Sequence, residues 1–100
     1  MSGGNWKDMF KGVQTGDYYL VEFYLRNGID PNYQHPEFMT TFLIESIRHN
    51  HLKITQLLLD NGADPYTKEI WGDHTPLSMA KSTNNKQAIQ LLEQFFNQAN

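Results

Sequence analysis

The residues best suited to chemistry in this 100-residue chain are its four histidines and the groups beside them. His49 and His51 are separated by one residue, a spacing that could bring two imidazoles onto one metal ion. The chain has no cysteine, and no further histidine lies near the pair, so the usual zinc ligand set is incomplete. We therefore predict no metal and no other cofactor, with His51 making hydrogen bonds at a turn and His49 facing solvent.

A second group, Asp73, His74 and Thr75, has the residue types of a nucleophile with an activating base. Such catalysis needs side chains that converge on one point, which adjacent residues in a turn rarely achieve. Thr75 followed by Pro76 is instead typical of a helix start, with the threonine as N-cap and the proline at the first helical position. The chain is therefore predicted not to be an enzyme, and a small histidine-based metal-dependent enzyme remains the rival hypothesis from another class.

The charge balance argues against a nucleic-acid-binding surface. Eight basic and eleven acidic residues give a formal charge of -3, whereas a surface that neutralises phosphates needs an excess of basic residues. No apolar run is long enough to span a bilayer, and residues 1–5 lack the pattern of a secretory signal. We expect a cytoplasmic domain without nucleic acid, membrane or small-molecule substrate as partner, preceded by a flexible leader at residues 1–4.

The chain repeats itself at a fixed interval. Gly28 recurs as Gly62 and Thr41 recurs as Thr75, and the same separation in sequence, which we call the period, joins both pairs. Apolar residues before each glycine, and again near the end of the chain, recur at helical spacing. We predict three units of two antiparallel helices, with the shorter first helices near residues 6–14, 40–48 and 75–82. The units are about 5–33, 34–66 and 67–97, in a single domain of residues 5–97 followed by a tail at 98–100.

Small residues recur with the same period in the predicted first helices, and they are expected where these helices approach one another closely: Gly12, Ser46 and Ala80. One residue further on, Val13 and Ile47 are apolar but Lys81 is charged. If this column faces the following unit, Lys81 marks the end of the stack.

These motifs resemble the ankyrin repeat. The segment from Thr75 to Ala80 is similar to Thr-Pro-Leu-His-x-Ala, which opens the first helix of that family. The connector Asn61-Gly62-Ala63-Asp64 also resembles the family's pattern, although Ile44 and Ser78 replace its usual histidine. The resemblance implies an all-α solenoid of three helix-turn-helix units with β-hairpin-like connectors, and a small stand-alone domain of bacterial or eukaryotic origin.

An ankyrin-like stack implies a protein-protein interaction module, whose concave surface combines connector fingers with exposed positions of the first helices. Binding residues concentrate on loops held by a rigid scaffold, and aromatic residues and arginine are favoured at interface hot spots. The partner-binding residues predicted in this way are Tyr33, Phe38, Met39, Arg48, His49, Tyr66, Trp71 and His74. His35 lies in the first of these connectors, and Gln14, Thr15, Ser82 and Thr83 are expected to extend the surface along the first helices.

Two alternatives stay open. Phe38 and Trp71 could stack between adjacent fingers, either instead of contacting a partner or as well as doing so. The unidentified protein partner could also be a toxin or enzyme whose active site the chain covers as an immunity or antitoxin protein, which its acidity suits if the partner surface is basic.

Overall fold

A computed structural model describes residues 5–34 and 37–98. The predicted leader, His35 and the last two residues of the predicted tail lie outside the described residues. Within them, six α-helices form three antiparallel pairs: α1 (Asn5–Thr15) with α2 (Tyr18–Arg26), α3 (Phe42–Arg48) with α4 (Leu52–Asp60), and α5 (Pro76–Ser82) with α6 (Lys86–Gln98). The first helices stack in the order α1, α3, α5, and the second helices in the order α2, α4, α6. The all-α helical-repeat fold is thus confirmed.

The connectors between pairs are built from turns, and no strand occurs in residues 5–34 or 37–98. The second connector is closed like a hairpin by one backbone hydrogen bond, in which Glu69 N donates to His74 O over 2.9 Å. None of the helices in these two ranges is long and apolar enough to cross a membrane.

Left-handed backbone conformations recur with the period of the sequence. Seven of the eight among the described residues fall into three sets, and Gly72 (φ 95°) has no counterpart one period earlier. The sets are Gly28 and Gly62 (φ 97° and 95°) after the second helices, Gly16, Asn50 and Asn84 (φ 83°, 60° and 58°) between the helices of a pair, and Met39 and Asp73 (φ 56° and 66°) in the connectors. Asparagine adopts this conformation more readily than most other residues with a side chain, which explains its use at the inter-helix turns. The repeat predicted from sequence is therefore also a repeat of backbone geometry.

The starts of α3 and α5 are fixed by threonine caps. The side chain of Thr41 accepts a hydrogen bond from Ile44 N over 2.9 Å. Thr75 accepts from Ser78 N over 3.1 Å while the Ser78 hydroxyl accepts from Thr75 N over 2.9 Å, which makes a capping box. The predicted roles of Thr75 as N-cap and Pro76 as first helical residue are confirmed.

The positions one residue after the small residues have the expected burial. Val13 and Ile47 are fully buried, and Lys81 is exposed at the end of α5. Two of the small residues themselves lie against the second helix of their own unit. A Cβ on Gly12 would lie 3.3 Å from side-chain atoms of Leu20 and Val21, which belong to α2 of the same unit. The hydroxyl of Ser46 likewise lies 2.8 Å from that of Thr55 on α4. At Gly12 and Ser46 the close contact thus joins a first helix to its own second helix, while the first helices also pack on one another.

Candidate functional site

The second finger, residues 66–74, projects two apolar side chains into solvent. Ile70 is 56% exposed and Trp71 is 65% exposed. The backbone amides of these two residues both donate to the carbonyl of Met39 in the first connector, over 2.9 and 3.3 Å. The exposed side chains are therefore carried on backbone that is fixed against the neighbouring unit.

A network of buried carboxylates holds the second finger against the first helices. Glu69, only 5% exposed, accepts a hydrogen bond from Arg48 Nη2 over 3.0 Å. Arg48 Nε donates to Glu45 Oε1 over 3.1 Å. The other Glu45 oxygen accepts from Gln14 Nε2 over 2.9 Å and lies 3.1 Å from His49 Nε2. Arg48 thus links the finger to α3, and Glu45 extends the network to α1.

The charges of this network are matched unevenly. Two carboxylates, Glu45 and Glu69, share the single guanidinium of Arg48, so one negative charge is left over when His49 is neutral. Burying a carboxylate is costly unless hydrogen bonds replace its water. The three donors around Glu45 provide this compensation, which explains why a glutamate that is 6% exposed is tolerated there.

Arg48 and His49 were predicted as partner contacts, and the structure places them on the face of the first helices with side chains that are each 40% exposed. Both are also engaged with Glu45 inside the chain. Arg48 consequently positions the second finger, in addition to offering the outer part of its side chain to solvent.

The predicted aromatic contacts pack largely on the chain itself. The ring of Phe38 stacks on Phe10 at 4.3 Å between centroids and meets Trp6 edge-on at 5.1 Å. The ring of Tyr33 lies 6.1 Å from that of Trp6 in the same cluster. Phe38 therefore stacks as one alternative expected, but on rings of α1 rather than between the fingers.

The other predicted residues of the second finger have distinct environments. Tyr66 stacks on Phe96 of α6 at 4.8 Å, yet it remains 59% exposed. His74 is half-buried, with Nδ1 3.0 Å from the hydroxyl of Ser78. Met39 is also half-buried and contributes its carbonyl to the finger. Of the predicted side chains, Trp71 combines the greatest exposure with a place at the tip of the finger.

The His49 and His51 rings are stacked 6.4 Å apart but point their Nε2 atoms at different partners. His51 Nε2 lies 2.9 Å from the carbonyl oxygen of Gln14, so the side chain bonds to the preceding unit, while the backbone N–H of His51 donates to Ser46 O at its own turn over 2.9 Å. In the part of the chain that the structure describes, no three histidine, cysteine or acidic residues are grouped as metal ligands. His51 joins neighbouring units, whereas His49 contacts Glu45 of its own unit.

Two sets of residues were missed by the sequence interpretation. Glu45 and Glu69 look like surface residues, but Glu45 lies one period before Met79, which is 2% exposed, and this alignment could have indicated a buried position. Phe23 was assigned to an apolar helix face and Tyr19 was not interpreted, yet they are 55% and 78% exposed on α2. Their exposure could not be read from helical periodicity, since it depends on which neighbour covers them.

Comparison with known proteins identifies the same repeat over nearly the whole chain. The family model "Ankyrin repeats (3 copies)" matches residues 9–99. Curated relatives include the Ankyrin repeat and KH domain-containing protein mask-1 of Caenorhabditis elegans, 34% identical over 84% of this chain, and Protein HOS4 of Saccharomyces cerevisiae, 30% identical over 91%. The Putative ankyrin repeat protein FPV222 of Fowlpox virus is 37% identical over 57% of this chain.

The chain spans only 3%, 9% and 8% of the lengths of these three relatives, respectively. The relatives are eukaryotic and viral, so they give no support to a bacterial origin. Repeats of this type generally act as protein-protein interaction modules and are typically not enzymes.

Proposed function

Since the chain belongs to the ankyrin repeat family, we propose that it binds a partner protein through the second finger and the adjoining face of its first helices. The single observation that carries this proposal is the exposure of Trp71, which is 65%, at the tip of the second finger. The backbone of this finger is fixed by hydrogen bonds from Ile70 and Trp71 to the Met39 carbonyl and from Glu69 to the His74 carbonyl. Tryptophan is among the residues most enriched at interface hot spots, because its large ring buries much area while few torsions must be ordered.

The attachment of the finger supports the proposal on energetic grounds. Binding is weakened by the entropy of ordering loops at the interface. In this chain the carbonyl of Met39 and the contact between Arg48 and Glu69 already order the finger. A partner would therefore meet a preorganised surface.

The surroundings of Trp71 have the apolar centre and polar rim of a protein interface. Ile70 adds a second apolar side chain, while Lys68 and Asp73 form an exposed ion pair with 3.6 Å between Nζ and Oδ1. The exposed parts of Arg48 and His49 border the finger on the side of the first helices. The partner that fits is a protein with an apolar pocket lined at its edge by polar groups.

The experiment is site-specific photocrosslinking in extracts of the source organism, with a photoreactive phenylalanine at position 71 or, as the control, at position 81. Lys81 is exposed at the end of the stack, away from the finger. We expect one protein to be crosslinked from position 71 and not from position 81, and to be competed by the unlabelled chain. Crosslinking of the same protein from position 81 alone would contradict the proposal.

The narrower form of this function is inhibition of a toxin or enzyme by covering its active site. The exposed carboxylate of Asp73 beside Trp71 favours a partner with a basic surface. Adding the purified chain to an activity assay of the crosslinked partner tests this form, and unchanged activity at saturating chain would exclude it.

A further inference from the structure

The second helices contact one another through a face that repeats with the chain. The groove between α2 and α4 is lined on the α4 side by Lys53, Gln56, Leu57 and Asp60. The groove between α4 and α6 is lined on the α6 side by the four residues found one period later. Helices α4 and α6 thus present the same four positions to the helix of the preceding unit, and on α4 two of these, Lys53 and Gln56, also border the groove toward α6.

On α2 these positions are occupied by Tyr19, Glu22, Phe23 and Arg26. No helix in the described residues lies in front of them, because α2 belongs to the first pair. The consequence is visible in the apolar position of the set, where Leu57 is 9% exposed but Phe23 is 55% exposed. Tyr19 borders the groove between α2 and α4 and is 78% exposed on the outer side of the helix, next to Phe23. We call the surface formed by these four positions the α2 face.

At the same end of the stack, α1 has charged residues at the positions through which α3 packs on its preceding helix. Phe42 and Glu45 of α3 face α1, as shown by the 6.1 Å between the rings of Phe42 and Phe10 and by the hydrogen bond from Gln14 to Glu45. The residues one period earlier are Asp8 and Lys11, which are charged and exposed.

Asp8 is also used within its own unit, where it accepts a hydrogen bond from the Tyr24 hydroxyl over 3.1 Å. Partial burial and this contact with Asp8 raise the pKa of Tyr24 above its usual value, which keeps the hydroxyl a donor. A complete helix pair stacked here would bury the charges of Asp8 and Lys11. A further repeat would need partners for both charges, of the kind that Glu45 has in Gln14, Arg48 and His49.

We propose that the α2 face is covered by the α2 face of a second copy of this chain, with the two helices antiparallel. The four positions are symmetric about the midpoint between Glu22 and Phe23. A twofold axis at this point sets Arg26 of each copy opposite Tyr19 of the other, where a guanidinium can stack on the ring. It also brings Glu22 within one turn of Arg26 in the other copy, and the two Phe23 rings together at the centre.

The charges of this face are free to pair between copies. Within one chain Glu22 and Arg26 are joined only by a surface contact of 3.7 Å, with Arg26 75% exposed. Such a contact contributes little to folding, so exchanging it for the equivalent contact in a second copy costs little. A twofold pairing of this kind is the commonest arrangement of homo-oligomers. The area of one helix face is small, so we expect a weak, concentration-dependent dimer.

The experiment is sedimentation equilibrium of the whole chain over protein concentrations from about 10 µM to about 1 mM. We expect the mass to rise from that of one chain to that of two. Phe23→Glu should abolish this rise, whereas Trp71→Glu, which changes an exposed aromatic residue of the second finger in the same way, should leave it unchanged. Circular dichroism of each variant verifies that the helices are retained.

Exchanging the charges of Glu22 and Arg26 tests the ionic contacts between the copies separately from the apolar contacts. Glu22→Arg should weaken the dimer by placing like charges across the axis, and adding Arg26→Glu to it should restore association. A chain that stays monomeric at the highest concentration overturns the proposal, and so does a dimer that survives Phe23→Glu or is lost with Trp71→Glu. None of these results depends on the binding of another protein by the second finger.

Discussion

The guanidinium of Arg48 on α3 lies 3.0 Å from the buried carboxylate of Glu69 in the second finger, across 21 positions of sequence. This contact joins a first helix to the connector that carries Trp71. It makes the position of the finger depend on a side chain that sequence analysis had assigned to the partner.

We expect Arg48→Met to destabilise the fold by about 1–3 kcal/mol, because it leaves the carboxylates of Glu45 and Glu69 without their shared cation. The loss stays within this range because Arg48 is 40% exposed and water partly replaces it. Urea denaturation measures the change in the free energy of unfolding.

The matched control is Arg26→Met, which breaks the exposed pair with Glu22 and should cost less than about 0.5 kcal/mol. Adding Glu69→Gln to Arg48→Met should recover part of the loss, as expected for directly coupled residues. Equal effects of Arg48→Met and Arg26→Met would show that the network does not stabilise the chain.

Gly62→Ala tests the helix end alone. Gly62 has φ 95°, and a Cβ added there meets nothing within 4 Å, so only backbone strain should result. We expect a loss of about 1 kcal/mol in the free energy of unfolding, and a similar loss for Gly28→Ala, where φ is 97°. Gly62→Asn should cost less, because asparagine tolerates this conformation. Thermal or urea unfolding that does not separate the alanine variants from the parent would disprove this helix-end assignment.

Gly72→Ala adds a steric effect to the same strain. The new Cβ would lie 2.6 Å from Oε1 of Glu69, at a residue with φ 95°. The Glu69 carboxylate must then move, which weakens its contact with Arg48. We expect faster hydrogen exchange at the amides of Ile70 and Trp71 and a larger loss of stability than in Gly62→Ala. Unchanged exchange at these amides would show that Glu69 does not hold the finger.

The repeat, and the residues that start and end its helices, could be predicted from sequence because their effects are local. Glycine at the ends of second helices and Thr75 with Pro76 at the start of α5 each act on their own neighbours. The period then fixes which positions are equivalent. The buried residues of α4 follow from helical periodicity for the same reason.

The candidate site could be predicted only in part. The exposure of Trp71 follows from its place in a turn-rich connector, and this expectation agrees with the structure. The pairing of Arg48 with Glu69 does not follow, because it joins side chains of separate elements whose distance depends on how the connector folds back. The stacking of Phe38 on Phe10 has the same origin, since it requires the first connector to lie over α1.

Leu58→Ala tests the register of the repeat. Leu58 is completely buried, so removing most of its side chain should destabilise the fold by about 2–5 kcal/mol. Lys53→Ala, on the same helix but exposed, should change stability by less than about 0.5 kcal/mol. Denaturant unfolding of the two variants measures the difference, and similar midpoints would contradict the assigned register.

The most direct measurement of the central claim is the affinity of Trp71→Ala for the crosslinked partner, determined by isothermal titration calorimetry together with the thermal midpoint of the free chain. Trp71 is largely exposed, so its truncation should leave the midpoint close to that of the parent. If Trp71 is the anchor of the interface, Kd should rise at least about thirty-fold, which corresponds to about 2 kcal/mol. Lys81→Ala, at the exposed end of the stack, should retain the parental Kd. A folded Trp71→Ala chain that binds with parental affinity would contradict the assignment of partner binding to the second finger.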